Sequence, residues 1–348
     1  MKTIPPADVR VQGLSEVPFE FLNAKLRGRR SLLYEGDRLR DLARLPSVED
    51  LAWRLFPRQD IPDHFALERS MLAACVRELA SWLAYLDGPY RALCRRLLDR
   101  YAVENLKVLL RLFTRGGKDG DAAGYLIELP RELSLPAQRL LDSPDVGEFL
   151  GRIPLPAVRA SAERALPLYE ETGRRAYLEM AFDRGYWLGV QEGLEGLSVA
   201  DRAGCSAPIS GELDAMRLLA TLRAARVYGL PWERFGGLLP GGRSGMRIGT
   251  LREIHENPAP GFVMDRVPRL KKLGVTAEMV EDIGELEDVL WHEVVRLANR
   301  QYYGVEGGPA VLVSTFYLKR DELRRLLALA RMLHAHRSEA EILQYLGL

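Results

Sequence analysis

YAVENLKVLLR, Tyr101–Arg111, is the stretch on which the fold reading turns. Centred on Asn105, it places Val103, Leu106 and Leu110 at the spacing of one helical face, with Lys107 as the single break. The same pattern returns as DAMRLLATLR, Asp214–Arg223, centred on Arg217, and as ELRRLLALAR, Glu322–Arg331, centred on Arg325. Ala215, Leu218, Leu219 and Leu222 form the second stripe; Leu323, Leu326, Leu327 and Ala330 form the third. An Arg follows each centre by six residues: Arg111, Arg223 and Arg331. Asp214 and Glu322 precede their centres by three, the spacing of a helical ion pair with Arg217 and Arg325.

A second mark accompanies the first. Leu67-Glu68, Leu178-Glu179 and Leu286-Glu287 stand at nearly the same distance ahead of the three centres, while Leu194-Glu195 is out of phase. The period exceeds the roughly 20–50 residues of common helical solenoids and is about one small domain. Pro- and Gly-rich tracts at 118–158 and 229–275 divide the chain. The organisation read from this is three similar helical domains, 1–130, 131–240 and 241–348.

Patterning elsewhere is helical too. Ser47 is placed to cap a helix, Pro62–Asp63 opens a long one through about Tyr85, and Thr250 with Glu253 and Ser338 with Glu341 read as capping boxes. Val158–Leu194 reads as one long helical region, and Gly204–Gly211 as a loop before a helix capped by Ser210. No stretch alternates as a strand does. The fold class is therefore all-α.

Lys plus Arg number 49 against 48 Asp plus Glu, so no net field draws the chain to nucleic acid. The 47% hydrophobic content is that of an ordinary globular chain. Cys75, Cys94 and Cys205 lack paired spacing and read as buried thiols. MKTIPPADVR has no apolar run, so no signal peptide is expected, and no segment approaches the roughly 20 apolar residues of a membrane span.

The motifs of chemistry are missing. Gly117-Lys118 is followed by Asp119, so it closes no phosphate loop, and the glycines of 236–249 contain no dinucleotide fingerprint. His292-Glu293 would begin a zinc helix, but position 296 is Arg. Asp119–Asp121 lacks the closing Glu of a calcium loop, since position 130 is Pro, and His334 and His336 suit a helix end. No catalytic residue, cofactor, metal or small-molecule substrate is expected.

The residues left for function are the repeat positions Asn105, Arg111, Arg217, Arg223, Arg325 and Arg331, read as candidate partner contacts. Arg111, Arg223 and Arg331 lie about 240° around the helix from their centres. They either sit on solvated flanks or cap neighbouring helices, or they line a shared surface.

This layout resembles the C-type subunits of the rotary V/A-type ATP synthases, whose counterparts in eukaryotic vacuolar ATPases are the d-type subunits. Glu104–Arg111, Leu178–Trp187, Phe316–Leu326 and Phe21–Leu33 are similar to that family's segments and occur in its order. Arg217 and Arg325 depart from the family's frequent Asn, Ala102 from an acid and Arg320 from a Glu. The resemblance implies a funnel of three helical domains about a pseudo-threefold axis. It implies a non-catalytic central-rotor component that couples the central stalk, made of the D and F subunits, to the membrane proteolipid c-ring during ion-translocating rotation. Its place would be peripheral, on the cytoplasmic face of the membrane. Two other readings stand beside it: a helical adaptor unrelated to rotary ATPases, and an all-α enzyme with a dispersed site.

Overall fold

The computed structural model describes residues 19–116, 122–242, 245–305 and 307–348. The N-terminal lead-in, Gly117-Lys118 and Asp119–Asp121 lie outside these residues. Every regular element among the described residues is helical, so the chain is all-α.

Six helices carry the repeat: α1 His64–Ala80, α2 Gly88–Thr114, α3 Ala176–Glu195, α4 Val199–Leu222, α5 Ile283–Gly304 and α6 Pro309–His334. The centres Asn105, Arg217 and Arg325 lie on α2, α4 and α6; the Leu-Glu marks lie on α1, α3 and α5. Side-chain caps begin several of them. Asp63 accepts from the Ala66 N–H, Ser198 from Asp201 and Asp282 from Gly284 and Glu285. Pro89 and Pro309 occupy first turns, where a missing N–H costs nothing.

The apolar stripes face inward. Leu106, Leu110, Leu218, Leu222, Leu323 and Leu326 are all buried. Besides the packing of α5 on α6 within the third copy, one pattern joins the copies. Helix α2 lies on α3, α4 on α5, and α6 on α1, so each centre-bearing helix packs on the Leu-Glu helix of the next copy and the last returns to the first. Phe19–Arg30 and Val48–Leu55 also pack on α6, and Gly36–Ala43 on Glu339–Leu346, although they precede the first copy in the chain.

Three sequence expectations give way. The expected loop Gly204–Gly211 is inside α4, and the cap is Ser198. Gly211 serves close packing, since a Cβ there would meet Leu297 Cδ1 at 2.8 Å, whereas one at Gly204 would meet Ala310 Cβ at an ordinary 3.6 Å. The region Val158–Leu194 is two helices, Pro156–Thr172 and α3, parted at Gly173, whose φ of 66° is left-handed. Thr250 stands within the helix Ile248–Glu256, which Arg247 precedes without a side-chain cap. The Ser338–Glu341 capping box is present.

Leu222 and Leu326 belong to buried stripes, so truncation leaves a cavity. Leu222→Ala and Leu326→Ala are each expected to destabilise by roughly 2–5 kcal/mol, read as a lower denaturant midpoint. Unchanged midpoints for both would mean that these faces do not form the core.

Candidate functional site: the central cavity

The repeat register leads to one cluster of side chains. Five residues before each centre stand Arg100, Glu212 and Arg320, on α2, α4 and α6. Their side chains meet. Glu212 Oε1 accepts from Arg100 Nη1 at 2.8 Å and from Arg320 Nη2 at 2.8 Å; its Oε2 accepts from Arg320 Nη1 at 3.0 Å and from the Tyr317 hydroxyl at 2.8 Å. Glu212 is only 6% exposed. Burial alone would raise its carboxyl pKa, but Arg320 and Arg100 outweigh burial and hold it at about 2. Arg320 also lies 4.8 Å from the Trp291 ring centroid, a cation–π contact.

Arg100, Glu212 and Arg320 are part of the lining of an open cavity of about 450 Å³. Its walls differ from one helix to the next. Ala215, Met216 and Leu219 of α4 offer an apolar surface. Glu104 and Lys107 of α2 offer charge, with Lys107 Nζ 3.2 Å from Glu104 and 2.7 Å from Asp183 of α3. Arg324 of α6 is paired with Asp288.

The Arg that follows each centre has a partner of one kind. Arg111 donates to Glu179 through two bonds, at 2.8 and 2.6 Å. Arg223 donates to Glu287 at 2.5 Å, and Arg331 to Glu68 at 2.7 and 2.8 Å. These acids are the Glu of the three Leu-Glu marks. The two sequence marks therefore meet across helix seams, each Arg with the next copy's Glu and the last with the first. Glu179, Arg223 and Glu287 border the cavity.

The centres themselves act elsewhere. Asn105, 4% exposed, donates to the Ile127 carbonyl at 2.9 Å and accepts from the Ile127 N–H at 2.8 Å. Arg217, 2% exposed, donates to the carbonyls of Pro240, at 2.7 Å through Nε, and Met246. Both clasp the segment that follows their helix and are buried in the chain. Arg325 pairs with Asp321 at 2.9 Å, one turn back, rather than with Glu322. Glu322 instead accepts from the Tyr34 N–H and pairs with Lys319, because Phe19–Arg30 and its following segment pack on α6. Asp214 accepts from the Gly245 and Met246 N–H groups.

The sequence reading missed Arg100, Glu212 and Arg320 as a set. Its own register contained the signal: opposite charges at one equivalent position on faces that are otherwise buried. Other motif residues have ordinary roles. Glu293 pairs with Arg296 and Arg269, and burial pushes all three cysteine thiols up to about 12. No His, Cys, Asp and Glu cluster able to hold a metal occurs among the described residues, nor does any helix there reach the length and apolarity needed to cross a membrane.

The fold and cavity define an all-α chain built on a thrice-repeated helix pair, with ion pairs joining the repeats. Residues 22–345 match the ATP synthase (C/AC39) subunit family, and the chain belongs to that family, the C or d subunits of V/A-type rotary ATP synthases. It is a rotary ATPase subunit, which sets aside an adaptor unrelated to such complexes. No curated protein matches the chain.

Two outcomes follow from this geometry. Glu212→Ala removes the carboxylate shared by two half-buried guanidinium groups, the Arg100 side chain being 32% exposed, and is expected to destabilise by less than the roughly 3–5 kcal/mol of a fully buried pair. The folded carboxyl titrates below its ordinary 4.5, so its stabilisation is complete above that value and is lost as the pH falls toward about 2. The difference in denaturant midpoint between wild type and Glu212→Gln should therefore close over that window; a constant difference counts against an ionised hub. The seams are exposed, with the Arg331 side chain at 65%. A double-mutant cycle on Arg331 and Glu68 is expected to give a coupling of about 0.2–1 kcal/mol that shrinks with salt. A coupling of zero at low salt would deny the pair.

Proposed function

We propose that the chain is the non-catalytic coupler of its rotary ATPase, joining the central stalk, made of the D and F subunits, to the membrane proteolipid c-ring. The observation that carries this reading is the cavity lined by residues of α2, α3, α4, α5 and α6, where buried Glu212 joins half-buried Arg100 and Arg320. A coupler must receive a shaft at one end and resist shear when the shaft turns. The cavity suits the first task, and the buried hub with three bridged seams suits the second.

The same features support three units about a pseudo-threefold axis, with cuts near 130 and 240. The helices before α1 complete the third unit by packing on α6. Arg223 and the seam acids Glu179 and Glu287 line the cavity, where a partner would meet them, and Arg111 and Arg331 are exposed seam residues proposed as further partner contacts. The place of the chain is peripheral, on the cytoplasmic face, with membrane contact through the ring. Hydrolysis belongs to other subunits, since the polar groups around the cavity pair with one another rather than converge on a substrate.

The test is affinity capture of tagged protein from solubilised membranes, at low and high salt. Stalk and ring subunits are expected in both eluates, because burial as well as charge would hold them. The purified chain is expected to show no stoichiometric ATP binding by calorimetry. Recovery of neither stalk nor ring, with the ATPase assembled in the same cells, would overturn the proposal.

A further inference from the structure

We infer that the cavity is keyed, accepting the tip of its partner in one of the three rotational settings that a threefold repeat would otherwise offer. This rests on the reading of the cavity as the shaft's socket. It concerns how the tip is oriented rather than whether it enters.

The argument compares equivalent positions. One residue before the centres stand Glu104, Met216 and Arg324, and all three line the cavity. At this level the wall is acidic on α2, apolar on α4 and basic on α6. Two residues after the centres, Lys107 of α2 and Leu219 of α4 line the cavity. The neighbouring helices repeat the contrast. Four residues beyond the Glu of the Leu-Glu marks, α3 presents Asp183 and α5 presents Trp291. The backbone frame is repeated, but the chemistry on it is different in each sector.

That difference selects an occupant. A cavity of about 450 Å³ holds several large side chains and no folded domain. The α4 sector shows Ala215, Met216, Leu219 and Ala220 in succession, with no charge until Arg223 at the rim. The α2 charges are already paired: Lys107 is flanked by Glu104 and Asp183. Arg324 is paired with Asp288. Val103 on α2, Ala176, Met180 and Trp187 on α3, and Trp291 and Val294 on α5 add apolar lining, but the α4 lining from Ala215 to Ala220 is the one without a charge, and it is the surface left for adhesion. It fits the end of an amphipathic helix whose apolar residues recur at i, i+3 and i+4. With that stripe against α4, the polar flanks of the helix face α2 and α6. Turned by a third of a revolution, the stripe would cover Lys107 and its two carboxylates, removing their water without supplying donors or acceptors. Turned the other way, it would cover Arg324 and Asp288. Both wrong settings lose binding energy through buried charge, which is how a pseudo-symmetric socket discriminates.

The test is disulfide trapping in the assembled complex. Single substitutions Glu104→Cys, Met216→Cys and Arg324→Cys place a thiol at the three equivalent positions. The native Cys75, Cys94 and Cys205 are buried and stay silent. Each variant is assembled with a stalk carrying one cysteine, walked along the apolar positions of its terminal helix, and oxidised. Met216→Cys is expected to give the highest yield at those positions, by at least about tenfold over the other two. Adding Lys107→Leu to Glu104→Cys gives the α2 sector the Leu of position 219 and is expected to raise its yield, a gain that misfolding does not produce. Equal yields at all three positions, with stalk and ring still captured, would overturn the key and leave the coupler intact. Absence of cross-links at every position with capture retained would overturn both the key and the socket. Loss of capture by the wild-type chain itself would overturn the coupler.

Discussion

One buried carboxylate ties three helices together. Glu212 takes hydrogen bonds from Arg100 on α2, from Arg320 on α6 and from Tyr317, also on α6. A charge at this depth is costly unless its lone pairs are filled, and the two guanidinium groups are costly without the carboxylate. Each of the three is tolerable only while the others stay in place. The hub therefore says less about total stability than about arrangement. A shift of α4 along its axis by one turn would part Glu212 from both arginines. Because the hub joins equivalent positions of the repeat, it holds the three helices level with one another.

The seams extend that constraint outward. Arg111–Glu179, Arg223–Glu287 and Arg331–Glu68 are exposed pairs, each worth little by itself. What they supply is direction, since the bidentate Arg111 and Arg331 forks accept a carboxylate from one side only. The last pair joins the end of the repeat to its beginning, so the chain closes without a covalent link. His64 stacks on His334 at the same seam, their ring centroids 3.6 Å apart. Inside the cavity the symmetry ends, because Glu104, Met216 and Arg324 share a position and nothing of their chemistry. On the proposed function, the symmetric frame bears load and the asymmetric lining recognises the shaft.

The fold was readable because helical periodicity is local. The stripe residues Leu218, Leu222, Leu323 and Leu326 are buried as their spacing requires, and caps such as Ser47 and Ser338 stand where three-residue spacing puts them. Punctuation was less readable. Gly204 and Gly211 look like a loop by composition, yet both lie within α4, and at Gly211 the Leu297 side chain packs closer than a Cβ allows. Gly173 ends a helix in a region that looks continuous, through a left-handed φ that periodicity does not report. A glycine's purpose depends on what lies opposite, and a single sequence does not contain that.

The site divides in the same way. From its sequence alone, this chain is determined to be helical and thrice repeated, with an Arg and a Glu mark in each copy and no motif of catalysis. These properties depend on residue type and spacing within one helix length. Only the tertiary structure decides that the two marks pair across seams, that Asn105 and Arg217 turn inward to clasp Ile127 and Pro240, and that Arg100, Glu212 and Arg320 form the hub. Arg217 and Arg223 are alike on paper; one is buried and the other stands at a seam, because six residues turn a helix by about 240° and different neighbours wait on each side. Charge pairing between copies joins residues that are distant in the chain, and which of many arginines meets which carboxylate is settled only when the helices pack.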